Sequence, residues 1–166
     1  MRRRALAIGC VATIAVADHV IHRRTPRWLT IGLYDEPAHL ATAALFLLNA
    51  PPQSRHTAVA FLAGSLLIDA DHLPLALADE RPTEDDPRPP THTLLIPAAL
   101  AVAGQRALAA GICAHYARDL VSGPGVPLMW PLTRRDLRLP YPLYALGVAA
   151  LGMRALRERA TVTSGL

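Results

Sequence analysis

The sequence predicts an all-α fold, organised as a compact multi-helix integral membrane bundle. Hydrophobic residues make up 52% of the 166 positions, whereas aromatic residues make up only 5%. The apolar residues are therefore mainly Ala, Leu, Val and Ile, which suit helices packed closely through small side chains, as in membranes. Polar segments containing Pro, Gly and Arg separate the apolar ones. Because this length is enough for one domain, we predict a single helical membrane domain over residues 1–166.

The first predicted helix covers residues 5–21, an apolar stretch of about the length of a short membrane span. Arg2, Arg3 and Arg4 precede it and would hold its start in the cytoplasm. A signal peptide is the alternative interpretation of this stretch. The polar residues Asp18 and His19 near its end, and the lack of a small-residue cleavage site, argue against a signal peptide.

Two shorter apolar segments follow, one in "DEPAHLATAALFLLNA" and one from Thr57 to Ile68. Asp35 is predicted to cap the first of these helices, with Pro37 near its start and His39 in its first turn. Each apolar run has about 12 residues, or about 18 Å of helix, against about 30 Å of hydrocarbon core. Buried core helices, re-entrant segments and spans lengthened by their flanks therefore all remain open.

The second half of the chain begins with a polar, proline-rich loop from Asp79 to Pro90. Thr91 is predicted to cap a helix in "HTLLIPAALAVA", and another helix runs through "ALAAGICAHYARDLV" until "SGPG" ends it. Trp130 lies in a loop that suits a membrane interface. The last predicted helix covers residues 141–156. These segments predict a multi-pass protein of the inner or plasma membrane, with membrane lipids as partners.

The charges and cysteines exclude other classes of protein. All 17 basic residues are Arg and the net charge is +4. Since these arginines are spread over loops and both termini, without an accompanying aromatic motif, we predict no nucleic-acid partner. Cys10 and Cys113 lie in apolar segments, so they form neither a disulfide framework nor a CxxC metal motif.

Ionisable residues inside or at the ends of the apolar segments are the candidates for chemistry. All of them are Asp or His, and in and beside membranes such residues are costly and usually functional. They are Asp18, His19, His22, His39, Asp69, Asp71, His72, His92, His115 and Asp119.

Spacing and residue type within this set predict a metal site near the membrane interface. His115 and Asp119 are four apart and so project from one face of a helix, while Asp69 and His72 are three apart. Nitrogen and oxygen ligands without thiolate suit Zn²⁺ best, and also Mn²⁺, Fe²⁺ or Ni²⁺. Six or seven ligands exceed one tetrahedral site, so one or two ions are predicted. The predicted metal ligands are His39, Asp69, Asp71, His72, His92, His115 and Asp119.

The same segments, in this order, resemble a bacterial and archaeal family of membrane-bound metal-dependent hydrolases. One branch of that family is described as LexA-binding, inner membrane-associated hydrolases. "EPAHLATA" is similar to the family's early histidine helix, "IDADH" to its "PDxDH" element and "PRPPTHT" to its "HRGxTHS" element. "HYARDLVSGPGVPLMWP" is similar to the family pattern "HxxxD…T..G…L.P". The resemblance covers a core of about residues 36–140.

Four positions depart from the family pattern. Pro87 occupies the position of the family's first "HRG" histidine, and Pro89 replaces the glycine. Ile68 replaces a proline and Ser122 replaces a threonine. If the missing histidine is a ligand in relatives, this chain has one fewer, and His19, His22 or Glu36 would substitute only where the fold brings them close.

The resemblance implies hydrolysis of an ester or phosphoester, on a small-molecule or lipid-linked substrate. Asp71 or Asp69 is the expected catalytic residue, either bridging metals or acting as a base. Arg88 and Thr93 of the third element are the expected substrate-binding residues. The alternative is a non-catalytic membrane scaffold or regulatory protein with a structural or vestigial metal site, which Pro87 favours.

Overall fold

The computed structural model describes residues 2–23, 27–77 and 91–157 of the chain. The described residues are helical and contain no β-sheet, apart from an isolated bridge between Val126 and Leu137, so the all-α prediction is confirmed. The helices are α1 (Arg2–Arg23), α2 (Trp28–Asn49), α3 (Arg55–Leu67), a 3₁₀ helix (Ile68–His72), α4 (Leu73–Leu77), α5 (Leu95–Val102), α6 (Arg106–Asp119) and α7 (Tyr141–Arg157).

Within the described ranges, one helix is both long and apolar enough to cross a membrane. It covers Arg2–His22 in α1 and has a mean hydropathy of 1.7. Helix α2 has the same length as α1, 22 residues, but carries Asp35, Glu36 and His39 near its middle. Helices α3 and α6 have only 13 and 14 residues. A bundle that crosses the membrane several times, and the division into one domain, therefore stay predictions.

The first core cluster joins α1, α2 and α7. It consists largely of small side chains, as expected for helices that approach closely. Its buried members are Ala7, Cys10, Ile14, Ala17, Ala38, Ala41, Leu45, Val148 and Ala155. A second cluster joins Ile68 of the 3₁₀ helix, Ile112 and Tyr116 of α6, and Val126 of the loop that follows α6.

Two glycines allow α3 and α6 to cross in close contact. A Cβ atom added at Gly64 would lie 2.2 Å from the carbonyl oxygen of Leu108, and one at Gly111 would lie 1.9 Å from that of Phe61. Both distances are shorter than real Cβ contacts, so the crossing requires glycine on each helix. The 3₁₀ helix continues directly from α3, and this crossing therefore brings its carboxylates against α6.

The helix starts differ from the sequence predictions at two caps. Helix α2 begins at Trp28, so Asp35 lies inside the helix and does not cap it. The apolar residues before Asp35 continue the helix towards its N-terminus, and Pro37 is accommodated within it. At α5, the hydroxyl of Thr93 rather than that of Thr91 accepts the Leu95 N–H, at 3.2 Å.

Candidate metal centre

The residues predicted as metal ligands come together from four segments of the chain. Helix α2 supplies one residue, the 3₁₀ helix three, the turn before α5 one and the C-terminal half of α6 two. Their side chains form one continuous set of contacts. The members are His39, Asp69, Asp71, His72, His92, His115 and Asp119.

The inner group of this cluster consists of Asp69, His92, His115 and Asp119. One ligand atom from each lies within 4.8 Å of the others, so the four could hold a metal ion. His115 Nε2 is 2.9 Å from Asp119 Oδ2 and 3.2 Å from Asp69 Oδ1. His92 Nε2 is 3.0 Å from the same Asp69 oxygen. The side chains of His92, His115 and Asp119 are fully buried.

The outer group consists of Asp69, Asp71, His72 and His92, and one ligand atom from each of these residues also lies within 4.8 Å of the others. His72 Nδ1 is 2.8 Å from Asp71 Oδ1 and 3.5 Å from Asp69 Oδ1. The three side chains from the 3₁₀ helix are 13–19% exposed, so this group forms the accessible edge of the cluster. Asp69 and His92 belong to both groups and connect them.

His39 lies beside the inner group. Its Nε2 is 3.5 Å from Asp119 Oδ1 and 4.0 Å from Asp69 Oδ2. Its ring stacks on that of His115, with 3.7 Å between the ring centroids and 11° between the planes. His39 therefore contacts both carboxylates but is not among the four residues of either group.

Several buried polar atoms of the cluster fit a divalent cation. Among the described residues, both ring nitrogens of His39 and Nε2 of His115 have no well-formed hydrogen bond. Such atoms are rare in folded proteins because each costs free energy when buried. The Nδ1 of His115 lies 2.8 Å from the Ser65 carbonyl and donates to it, which directs Nε2 at the cluster.

The charges at the accessible edge depend on the same contacts. Burial alone would raise the pKa of Asp71, but hydrogen bonds from His72, His92 and Thr91 lower it well below its usual range. Burial alone would lower the pKa of His72, but hydrogen bonds to Asp69 and Asp71 raise it to about 9. In the protein without metal, His72 is therefore protonated and balances the charge of two carboxylates. A bound cation would take over this role.

Further residues that the sequence does not predict as metal ligands surround the cluster. Glu36 lies next to Asp69, so the fold does bring this residue to the site. The Thr91 hydroxyl donates to Asp71 Oδ2. The Tyr116 hydroxyl donates to the carbonyl oxygens of Thr91 and Thr93, and so holds the turn that carries the histidine between them.

Other sequence candidates lie away from the cluster or outside the described residues. Asp18 is buried in a separate ion cluster, and the His22 ring contacts the Asp18 carbonyl, at 2.9 Å from Nδ1. Thr93 is buried and its hydroxyl is engaged at the start of α5, so substrate binding by Thr93 stays a prediction. Arg88 and Pro87 belong to residues 78–90, which lie outside the described part of the chain.

The described fold combines one apolar helix of span length with a buried His/Asp cluster that forms a candidate metal centre. The chain belongs to the YdjM inner membrane protein family, which matches residues 37–164. This match contains all seven predicted ligands and confirms the predicted resemblance to a membrane-associated family, whereas hydrolase activity stays a prediction. No curated protein and no solved structure matches the chain.

Proposed function

We propose that this chain is a membrane-bound, metal-dependent hydrolase that acts on an ester or phosphoester. The observation that carries the proposal is the convergence of the 3₁₀ helix, the turn before α5 and α6 on two overlapping His/Asp groups, in each of which the ligand atoms lie within 4.8 Å of one another. Imidazole and carboxylate ligands without thiolate favour Zn²⁺, with Mn²⁺, Fe²⁺ or Ni²⁺ as the alternatives. The inner and outer groups suit one ion each, so the site would take one or two ions.

The two predicted catalytic carboxylates would have different roles. Asp69 belongs to both groups, which favours it as the residue that bridges two ions. Asp71 lies at the accessible edge, where the Thr91 hydroxyl and His72 orient its carboxylate. This position favours Asp71 as the base that accepts a proton during attack on the substrate. When bound, a divalent ion supplies hydroxide at neutral pH and offsets negative charge on the substrate.

A multi-pass position in the inner membrane is supported by the surface of the described helices. Large apolar side chains are exposed on α1, α2, α3, α5 and α7. Examples are Leu6, Ile8, Val16, Leu40, Phe46, Val59, Val102, Leu143, Leu146 and Met153. Contact with lipid tails would cover these faces, and membrane lipids are accordingly the proposed partners.

The surroundings of the accessible edge favour a lipid-linked substrate. The 3₁₀ helix lies between exposed apolar residues, Leu67 on one side and Leu73 and Leu77 on the other. The Trp28 ring lies against His72, with 5.4 Å between the centroids. A polar cluster bordered by apolar side chains suits an amphiphile that presents its ester or phosphoester to the edge. Arg88 stays the proposed partner of an anionic group on that substrate.

A non-catalytic scaffold is the second candidate function. The observation that favours it is the complete burial of His39, His115 and Asp119, because structural metal sites are closed to solvent whereas catalytic sites keep an open position. In this case a metal in the inner group would only tie α2, the 3₁₀ helix and α6 together. Pro87, in place of the histidine of the family pattern, is consistent with this alternative.

Metal content and turnover distinguish these functions. Detergent-purified full-length protein would be compared with His72→Ala and Asp119→Ala, and with His56→Ala, an exposed histidine at the start of α3, as the control. We expect metal in the wild type and control, less metal in the two site variants, and hydrolysis of an ester or phosphodiester probe only where metal is retained. Stoichiometric metal without turnover, together with lower thermal stability of Asp119→Ala, favours the scaffold. Unchanged metal content in both site variants contradicts the site.

A further inference from the structure

A second buried ion cluster lies beside the candidate metal centre, around Arg118 of α6. Its guanidinium group is bound to Asp35 of α2, with both Nε and Nη2 at 2.7 Å from Oδ1. Nη1 is 2.9 Å from Asp18 Oδ1 of α1 and 3.3 Å from the Tyr144 hydroxyl of α7. Only 2% of Arg118 is exposed. Four helices therefore meet at one buried cation.

The partners of Arg118 are themselves held in place. The Tyr141 hydroxyl donates to Asp18 Oδ2, at 2.6 Å. The Tyr144 hydroxyl is 2.7 Å from Thr42 Oγ1. Desolvating a guanidinium group is expensive, and removing one partner of a buried ion pair leaves an uncompensated charge. The arrangement of these side chains is therefore defined by several contacts at once.

Arg118 contacts the metal centre through its neighbours on two helices. The second oxygen of Asp35, Oδ2, lies 3.5 Å from Nε2 of His39, one helical turn further along α2. The same His39 nitrogen is 3.5 Å from Oδ1 of Asp119, the residue that follows Arg118 on α6. By holding Asp35, Arg118 fixes α2 against α6 where His39 and Asp119 face each other.

We infer that Arg118 is a positioning residue of the candidate metal centre, and that α1 takes part in the site through Asp18. Helix α1 and Asp35 precede residues 37–164, which the family match covers, so this contribution lies outside the matched region. The inference rests on the proposed function, because the geometry that Arg118 maintains matters through the metal that Asp119 would hold next to His39.

Binding of Co²⁺ alone, followed by its visible absorption in detergent-purified full-length protein, tests the inference. The variants are Arg118→Lys, Asp18→Asn and Tyr141→Phe. Arg106→Lys, an exposed arginine at the start of the same helix, and Asp136→Asn, in an exposed loop, are the matched controls. Since partners outside the ligand shell typically change metal affinity about 10–100-fold, we expect the Kd of the first two variants to rise about 10-fold, with altered absorption bands. Tyr141→Phe should shift the bands in the same direction by less.

The outcomes separate the inference from the proposed function. If the wild type shows no Co²⁺ absorption bands, the proposed metal site fails. If the wild type shows them and folded Asp18→Asn and Tyr141→Phe keep the wild-type spectrum and Kd, only the positioning role is overturned. Tyr141 is an exposed residue whose substitution removes one hydroxyl, so this variant keeps the test decisive even where Arg118→Lys does not fold.

Discussion

The histidines of the cluster differ in what holds each ring. His115 donates a hydrogen bond from Nδ1 to the Ser65 carbonyl and directs Nε2 at two carboxylates. His92 contacts Asp69 through Nε2 and Asp71 through Nδ1. His39 has contacts with carboxylates at 3.5 Å but no well-formed hydrogen bond from either nitrogen within the described structure. These differences predict different consequences when each ring is removed.

His115→Ala should abolish stoichiometric metal binding, whereas His39→Ala should retain the metal with about 10–100-fold lower affinity. The reason is that His115 belongs to the inner group of four ligand atoms and His39 lies beside it. Metal analysis after dialysis against a graded series of chelator concentrations measures both effects. Equal loss of metal in the two variants would contradict the assignment of His115 as a ligand and of His39 as a residue next to the ligands.

Without metal, the stability of the protein should fall as the pH rises from about 6.5 to about 9. Folding raises the pKa of His72 from 6.5 to about 9, because its hydrogen bonds to Asp69 and Asp71 outweigh the effect of burial. A raised pKa contributes stability that is complete below the unfolded value and is lost as the pH passes through the folded value. The shift of the His72 pKa corresponds to about 3 kcal/mol of folding free energy.

Thermal unfolding of chelator-treated protein between pH 6 and pH 9.5 measures this loss, with His72→Gln as the comparison. We expect the variant to be less stable at pH 6 and to show a smaller decline across the range. A decline of equal size in the variant would assign the pH dependence to other groups. Metal has to displace the His72 proton, so metal affinity should rise over the same range.

The sequence predicts the seven members of the cluster but not their supporting residues. Asp and His stand out inside apolar segments, and the i, i+4 spacing places His115 and Asp119 on one face of α6 without knowledge of the fold. Arg118 and Asp35 lack such a signal, since 83 positions separate them, Asp35 is predicted only as a helix cap and Arg118 resembles an ordinary solvated charge in the sequence. Contacts of this kind depend on how the helices pack.

Helix boundaries are likewise predictable where neighbouring residues determine them, and not where a distant residue does. Ser54 caps α3 by accepting the Thr57 N–H at 3.1 Å, a contact that involves only neighbouring residues. Asp35 has the side chain of a good cap, but the apolar residues before it extend α2 to Trp28 and Arg118 binds its carboxylate instead. The preference of Asp35 for a capping position is therefore overridden, because Arg118, distant in the sequence, binds the same carboxylate inside the fold.

The α3–α6 crossing determines how far the 3₁₀ helix lies from α6, so Gly64→Ala should weaken both folding and metal binding. Its Cβ would overlap the Leu108 carbonyl, which belongs to the backbone and cannot rotate away. Overpacking of this kind costs about 1–3 kcal/mol. Thermal unfolding and Co²⁺ binding measure the two effects.

Gly147→Ala in α7 is the matched control for this crossing. A Cβ at Gly147 meets nothing within 4 Å, and alanine favours a helix over glycine by about 0.5–1 kcal/mol. We expect this variant to be as stable as the wild type or slightly more so. Normal stability and metal affinity in Gly64→Ala would show that α3 and α6 separate without moving the ligands.

The described structure has exposed apolar side chains on its helices and a buried His/Asp cluster that is accessible at one edge. The exposed leucines beside the 3₁₀ helix and the Trp28 ring against His72 place this edge next to apolar surface. Tryptophan prefers the level of the lipid headgroups, where one side of the ring is apolar and the other is hydrated. The edge of the cluster should therefore lie at the lipid–water boundary.

Trp28 provides a direct measurement of this position, because the chain has only two tryptophans. In the Trp130→Phe variant, reconstituted in vesicles, lipids brominated near the headgroup should quench Trp28 fluorescence more than lipids brominated deep in the acyl chain. Co²⁺ should quench the same fluorescence, since His72 of the outer group lies 5.4 Å from the Trp28 ring. Quenching by Co²⁺ but by neither lipid would place the edge in water. This result would contradict the proposal of a substrate embedded in the membrane, but not the proposed metal site.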